Sequence, residues 1–398
     1  MAGSLQGIRV LDLTNVLSGP FCCHQLAHFG AEVIKIERPG KGDLARQLGA
    51  DPALNAANMG VSFLAQNAGK KSVTLNLKTP AGVALFKKLV ATADVVVENF
   101  RPGVMDRLGV GFQDLKPLNP RLVYCAISGF GQDGPMRAMP AYDQIVQGLS
   151  GVMSVTGDAE SAPLRVGYPV ADTIGGLTAA FAISASLAGP RETPVFLDVS
   201  MLEATLATMG WVVSNWLIAG QTPAAHGNEN TTSAPSGAFQ ARNGALNIAA
   251  NKDEQWEALC TVLKRPDLLA HADYATRETR KANRYALKAE LEKSLAERDA
   301  ADWVALFSAR GIPSGEILTV PDALDHPQVA DRGMIAAFDD VPGVGRAIKT
   351  VRTGIKVNGD APSVDTPPPV LGRDNDDVYR ALGLGDDDLR SLEKEGAI

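Results

Sequence analysis

Residues 8–37 read IRVLDLTNVLSGPFCCHQLAHFGAEVIKIE. The stretch opens on the β-branched run IRVLDLT (8–14), passes through a helix candidate at Pro20–Phe29 and closes on EVIKIE (32–37). A strand, a helix and a second strand in this spacing form a βαβ unit, whose strands lie parallel because the helix carries the chain back to the starting edge. The alternation continues outward. SVTLNL (72–77), DVVVENF (94–100), LVYCAISGFG (122–131) and PVFLDVS (194–200) are further strand candidates, and Pro80–Ala93 is a further helix. Such a pattern predicts an α/β fold with a large Rossmann-like domain. In such a sheet, ligands bind beyond the carboxyl ends of the strands.

After Trp216 the texture changes. AAHGNENTTSAPSGAFQ (224–240) is polar and turn-rich, and beyond it come the strand candidate ALNIAA (245–250) and helices near 253–263, 284–297 and 300–310. The expected division is a large domain at 1–216 and 335–398, linkers at 217–225 and 329–334, and a small α+β domain at 226–328. The tail carries strand-like RAIKTVRTGIKV (346–357) and a short helix in DDLRSLEKEGAI (387–398).

The 398 residues are 45% hydrophobic and 21% charged, with a net charge of -7. This is a globular composition, and it gives no basic surface for nucleic acid, whose binding depends on releasing counterions from phosphates. Cys22, Cys23, Cys125 and Cys260 form neither a C-x-x-C pair nor a disulfide framework, so they read as reduced, buried thiols. With no signal-peptide core ahead of the first strand and no apolar run read as a bilayer span, the expectation is a cytoplasmic protein without a membrane partner.

Several motifs are excluded by their chemistry. TNVLSGP (14–20) has one glycine where a dinucleotide fingerprint needs three. No P-loop or G-x-S-x-G elbow occurs. His24 and His28 stand at i, i+4, but Gln25 replaces the glutamate of zinc hydrolases and no third ligand is evident, so no metal is expected. Both histidines read as polar helix positions.

One carboxylate stands apart. In RVGYPVADTIGGLTAAFAISASLAG (165–189), Asp172 heads an uncharged run ending at Gly189-Pro190, so it lies at or near the N-cap of a buried helix. Capping alone accounts for an aspartate there; a reactive carboxylate is the other reading. Three loops, ERPGKGD (37–43), NAGKKSV (67–73) and ENFRPGVMDRLG (98–109), bring Arg or Lys beside Gly and Pro turns, an arrangement suited to a polyphosphate. Phe100 fits either adenine stacking or core packing.

LDLTNVLSGP, GAEVIKIERPGKGD, NAGKKSVTLNLK, VVVENFRPGVMDRLG, ISGFGQDGP and AYDQIVQGLSG, with DVSMLEA (198–204) and the C-terminal PPPVLGRDNDDVYRALGLGDDDLRSLEKEGAI, resemble successive signatures of the class III CoA-transferases, the formyl-CoA transferase and carnitine CoA-transferase group. The resemblance makes Asp172 the catalytic residue, within GYPVADTIGGL. It places contacts to coenzyme A at Val16, Leu17, Ser18, Arg38, Asn67, Lys70, Lys71, Asn99, Phe100, Arg101, Arg107 and Tyr142. It also implies a CoA thioester as substrate with no tightly bound cofactor, and an interlocked homodimer. Pro140 stands where the formyl-CoA branch has a lysine. HGNENTTSAPSGAFQ lacks that branch's glycine run, which points away from formyl-CoA and oxalate and toward succinyl-CoA with a short carboxylic or dicarboxylic acid.

Backbone N–H groups around Gly175 and Gly176 are expected to serve a developing oxyanion if the helix begins there. Arg242 or Lys252 would suit a second carboxylate. The rival reading is an α-methylacyl-CoA racemase, which uses a histidine where this chain has Tyr142; a phenol is a poor general base near neutral pH. A noncatalytic CoA-binding module is the third reading.

Overall fold

The computed structural model describes residues 3–398. Six parallel strands form the main sheet: β1 (Arg9–Asp12), β2 (Glu32–Glu37), β3 (Lys70–Thr74), β4 (Val95–Glu98), β5 (Val123–Ser128) and β6 (Val195–Ser200). Their order is β3-β2-β1-β4-β5-β6. The chain therefore winds outward from β1 in one direction and then, from β4, in the other. Loops leaving the carboxyl ends of β1 and β4 diverge and open a crevice between them.

The strands are apolar on both faces because helices cover both. On one face Val10, Val33, Val97, Cys125 and Ile127 pack with Cys22 and Leu26 of α1 (Ser18–His28) and with Ala179 and Ile183 of a long apolar helix at Val170–Ala188. On the other, Leu11, Ile34, Val96 and Tyr124 meet Leu85, Phe86 and Leu89 of α2 (Pro80–Val90). Thr79 caps α2 by accepting from Gly82 N, and Pro80 sits in its first turn, where a missing N–H costs nothing. All four cysteines are buried and free.

The C-terminal segment returns to this unit and closes the outer edge of β3. Asp374 and Asn375 accept the Ser72 and Thr74 N–H groups at 2.7 and 2.8 Å, and the Tyr379 hydroxyl donates to Thr74 O at 2.7 Å. Within RAIKTVRTGIKV only Ile348–Val351 is a strand, paired antiparallel with Ile335–Phe338.

The chain divides into two compact units, 1–152 with 165–221 and 327–398, and 153–164 with 222–326. The second contains a three-stranded antiparallel sheet of Ser236–Gln240, Ala245–Ala249 and Ser314–Glu316, covered by helices that include Asp253–Val262, Arg284–Leu295 and Ala300–Ser308. Its core joins Phe239, Leu246, Trp256, Leu291, Trp303 and Phe307. Segment 153–164, assigned to the large domain on sequence, belongs to this smaller unit. Its turn is held by Asp158 and Ser161, and Gly157 O accepts from Gly227 N at 2.6 Å. No strand or helix period marks that segment, so its affiliation is invisible to pattern.

The helix at Val170–Ala188 also revises an expectation: by length and composition it is apolar enough to cross a bilayer. One face of it packs into the core, with Ala171, Gly175, Gly176, Ala179, Ala180 and Ile183 buried.

Candidate active site

The crevice at the ends of β1 and β4 is held by a buried charge network. Lys70 Nζ lies 2.9 Å from Asp12 Oδ2 and 3.0 Å from Pro20 O, while Asp12 Oδ1 accepts the Thr14 N–H at 2.9 Å. Lys35 Nζ pairs with Asp43 at 2.9 Å and donates to Thr14 O at 2.7 Å. Burial opposes ionisation of Asp12, but Lys35 and Lys70 outweigh it and hold the carboxyl below its ordinary value. The remaining Asp43 oxygen accepts Val16 N at 2.9 Å. Val16 takes a φ of 68°, a strained conformation for a β-branched residue that the surrounding network enforces.

Across the switch point, Asn99 ties the two loops together. Its Oδ1 accepts Asn15 N and its Nδ2 donates to Asn15 O, both at 2.8 Å, and Nδ2 also lies 3.3 Å from Ser18 Oγ. Leu17 occupies the N-cap of α1 without a capping side chain, so the helix N-terminus presents uncapped N–H groups to the crevice. Phe100 is half-buried against the core, with its N–H on Glu98 at 2.7 Å.

Asp172 enters from α4, the Val170–Ala188 helix, once α3 (Asp143–Leu149) is counted before it. It is the third residue of α4 rather than its cap. The N-cap is Pro169, which has no side-chain acceptor, and the cap is supplied from a distance: Asp143 Oδ1 accepts Ala171 N at 2.8 Å and Asp172 N at 3.3 Å. Asp143 Oδ2 accepts Gln147 Nε2 at 2.6 Å, and Gln147 fastens the preceding loop through Val166 N at 2.9 Å and Tyr168 O at 3.3 Å. Burial, followed by the Asp143 charge, pushes the Asp172 carboxyl up to about 7, while the Ser18 hydroxyl beside it pulls the other way. Asp172 is thus a half-buried carboxylate poised near neutrality, linked through Ser18 and Asn99 to the ends of β1 and β4.

Val16, Leu17, Ser18, Asn99, Phe100 and Asp172 come together at this crevice. Arg38 and Arg101 are exposed on the loops after β2 and β4, and Arg107 is exposed at the end of the short helix Val104–Arg107. Lys70 and Lys71 differ from expectation, since both belong to β3 and not to a loop. The Lys70 ammonium is fully buried in its pairing with Asp12, leaving it unavailable to a phosphate, and Lys71 pairs with Glu32 at 2.6 Å. Asn67 is buried too, donating to Phe63 O at 2.8 Å.

Gly175 and Gly176 are not oxyanion donors. The helix starts at Val170, so their N–H groups lie beyond the four that a helix leaves free. They serve close packing instead: a Cβ at Gly176 would stand 2.4 Å from Ser18 O, and one at Gly175 would stand 2.8 Å from Met201 Cγ. Tyr142 is 70% exposed at the N-cap of α3. In the small unit, Arg242 is paired with Asp299 at 2.9 Å and Lys252 is the N-cap of the Asp253–Val262 helix.

His24 and His28, read as polar helix positions, lie on α1 and are buried, with their ring centroids 4.5 Å apart. Among the described residues no group of three or more His, Cys, Asp or Glu side chains forms a metal centre. Sequence reasoning missed Asp143 and Gln147; the D-x-x-x-Q spacing in AYDQIVQG, one helical turn, was the available signal.

Known proteins share this chain's sequence pattern and fold. Residues 5–375 match the signature of CoA-transferase family III. The chain is 41% identical to the acetyl-CoA:oxalate CoA-transferase of Acetobacter aceti, covering 87% of this chain and 89% of that one. It is 37% identical to the succinyl-CoA:glutarate CoA-transferase of Mus musculus, covering 93% and 84%. A CAIB/BAIF family protein from Brucella suis superposes with a TM-score of 0.84 at 32% identity, over 96% of this chain and all of that one. The parallel sheet, the crevice at its switch point and these matches lead to one conclusion: the chain belongs to the class III CoA-transferases.

Proposed function

We propose that Asp172 is the nucleophile that moves coenzyme A from an acyl-CoA donor, succinyl-CoA foremost, to a short dicarboxylic acid. The observation that carries this reading is the placement of a single half-buried carboxylate at the first turn of α4, beside Ser18 and poised near pH 7. In the proposed reaction the Asp172 carboxylate attacks the donor thioester carbonyl. The C–S bond breaks, and CoA leaves as a thiolate from an acyl-aspartyl anhydride. The thiolate attacks the aspartyl carbonyl, giving an aspartyl-CoA thioester and releasing the donor acid as its carboxylate. The acceptor carboxylate then displaces the thiolate to form a second anhydride. Return of the thiolate to the acceptor's acyl carbon yields the new thioester and frees Asp172. Each bond formed replaces one of similar kind, so the exchange balances without ATP, redox change or a metal.

CoA would lie along the crevice, near Val16 to Ser18, Asn99 and Phe100, with its phosphates toward Arg38, Arg101 and Arg107. The Ala171 and Asp172 N–H groups are held by Asp143, so oxyanion donation falls to the uncapped end of α1. The absent glycine run argues against oxalate, yet a relative named for oxalate shares 41% identity, so oxalate belongs among the acceptors tested. Relatives named for glutarate and mesaconate favour longer diacids.

A homodimer is part of the same proposal. Trp211 and Ile218 on the Gly210–Ala219 helix are 82% and 84% exposed, and Phe181 on α4 is 76% exposed, more apolar surface than a lone chain keeps in water. Buried free thiols suit a reducing, cytoplasmic setting.

The test is mass spectrometry of CoA esters after incubation in D2O with EDTA, succinyl-CoA, a 2-methylacyl-CoA and a panel of short acids including oxalate, glutarate and mesaconate. New thioesters matching a panel acid, absent with Asp172→Ala, are expected. Deuterium in the 2-methylacyl-CoA without acid exchange would replace the proposal with α-proton chemistry.

A further inference from the structure

A cavity of about 140 Å3, lined by none of the residues around Asp172, lies in the C-terminal part of the large unit between residues 328–334 and 352–361. Val329, Met334, Ile355 and Ala361 make an apolar floor, and Arg332, Arg352 and Lys356 stand around it with no carboxylate in the lining. None of these three cations forms an ion pair among the described residues; Arg332 and Lys356 are exposed and Arg352 is half-buried. The Arg352 Nε is buried without a hydrogen-bond partner. A buried donor left unsatisfied is destabilising, the more so on a charged group, so this nitrogen marks a place where an acceptor belongs. Arg332 Nη2 reaches only Gly354 O, at 3.5 Å. A guanidinium beside an apolar hollow is suited to a carboxylate, which it binds through paired N–H donors.

We propose that this cavity is a second ligand site, separate from the crevice of Asp172, that takes a short aliphatic monocarboxylate with its chain on the apolar floor and its carboxylate on Arg352. At about 30 Å3 for each water-sized group, the volume holds on the order of five heavy atoms. A chain of three or four carbons fills it with the oxygens at the mouth. A dicarboxylate is disfavoured because its second charge would lie against Val329 and Ile355. The site thus selects a class of acid different from the diacids proposed as acceptors, and it does not depend on the CoA-transfer reading.

The experiment is equilibrium dialysis of the full-length protein with radiolabelled butyrate, alongside butyramide, which has the same shape without the charge. Saturable butyrate binding is expected, with at least tenfold weaker binding of butyramide. Arg352→Met should lower butyrate affinity at least tenfold, and Ala361→Leu should do the same by filling the cavity with every charge kept. Asp172→Asn should leave butyrate binding unchanged, and the two cavity variants should keep wild-type CoA exchange. If Arg352→Met disturbs folding, Ala361→Leu decides alone. No saturable binding, equal binding of butyramide, or loss of binding only in Asp172→Asn would overturn the proposal.

Discussion

Replacing Asp172 by Asn should abolish CoA transfer and at the same time make the protein more stable at pH 8. The side chain keeps its shape but loses a charge that the fold disfavours. In the unfolded chain the carboxyl ionises near 3.8, whereas in the folded protein burial and Asp143 push it up to about 7. Between those values the folded state binds the proton more tightly, so stability falls as pH rises from 3.8 to about 7 and stays at its lower level above. The gap is about three decades of proton affinity, and at about 1.4 kcal/mol per decade ionised Asp172 costs about 4 kcal/mol at pH 8. At pH 5 only the first decade or so has been traversed, and the cost is about 1.6 kcal/mol by the same conversion. With an unfolding entropy of about 2.1 cal/mol/K per residue, a cooperative chain of this length gains about 5 °C in Tm at pH 8 and about 2 °C at pH 5. Calorimetry of the CoA-free protein at the two pH values measures both gains. A gain equal at pH 5 and pH 8, or a loss at both, would refute the view that Asp172 is held in an unfavourable ionised state.

Three further outcomes follow from the geometry. Gly176→Ala should lower stability by about 1–3 kcal/mol and depress transfer, because the new methyl collides with Ser18 O across the α1–α4 contact; urea titration and initial rates check this. Asp143→Ala should lower the acid limb of the kcat/KM profile, since it removes a charge that raises Asp172, and should cost about 1 kcal/mol in capping; a limb that stays put would show that Asp143 only caps the helix. Burial, helped by the Arg352 charge and opposed by the Pro362 carbonyl, lowers His28 to about 4. The folded protein therefore refuses a proton that the unfolded chain accepts below about 6.5, a cost that works against the stabilising protonation of Asp172 over the same range. The urea midpoint of His28→Leu should therefore gain on that of the wild type as pH drops from 6.5 toward 4, and a difference independent of pH would refute the assignment.

The parallel sheet was legible because buried strands announce themselves as β-branched runs separated by helices, and IRVLDLT and EVIKIE did so at once. Asp172 was legible as the lone charge in an apolar run. Its surroundings were not. The cap on α4 comes from Asp143, and a contact made across 28 or 29 residues leaves no local period to read. Lys70 looked like a loop cation because GKK reads as a turn; β3 begins at that residue, and the fold uses its charge to neutralise Asp12. Gly175 and Gly176 looked like donors because the helix was started too late. Pro169, which offers no capping side chain, hid the true beginning.

The closure of β3 by the C-terminal segment has a consequence for synthesis. Ser72 and Asp374 are separated by 302 residues, so the groups that satisfy the sheet's outer edge leave the ribosome long after the strand they cover. At about 5–20 residues per second, that edge stands open for roughly 15–60 s in every nascent chain. During that time it presents the outer edge of Lys70–Thr74, whose inner edge pairs with β2, to any neighbour able to extend the sheet. Dependence on chaperones, and sensitivity of soluble yield to truncations that remove Asp374, Asn375 and Tyr379, are therefore built into the order in which this chain appears.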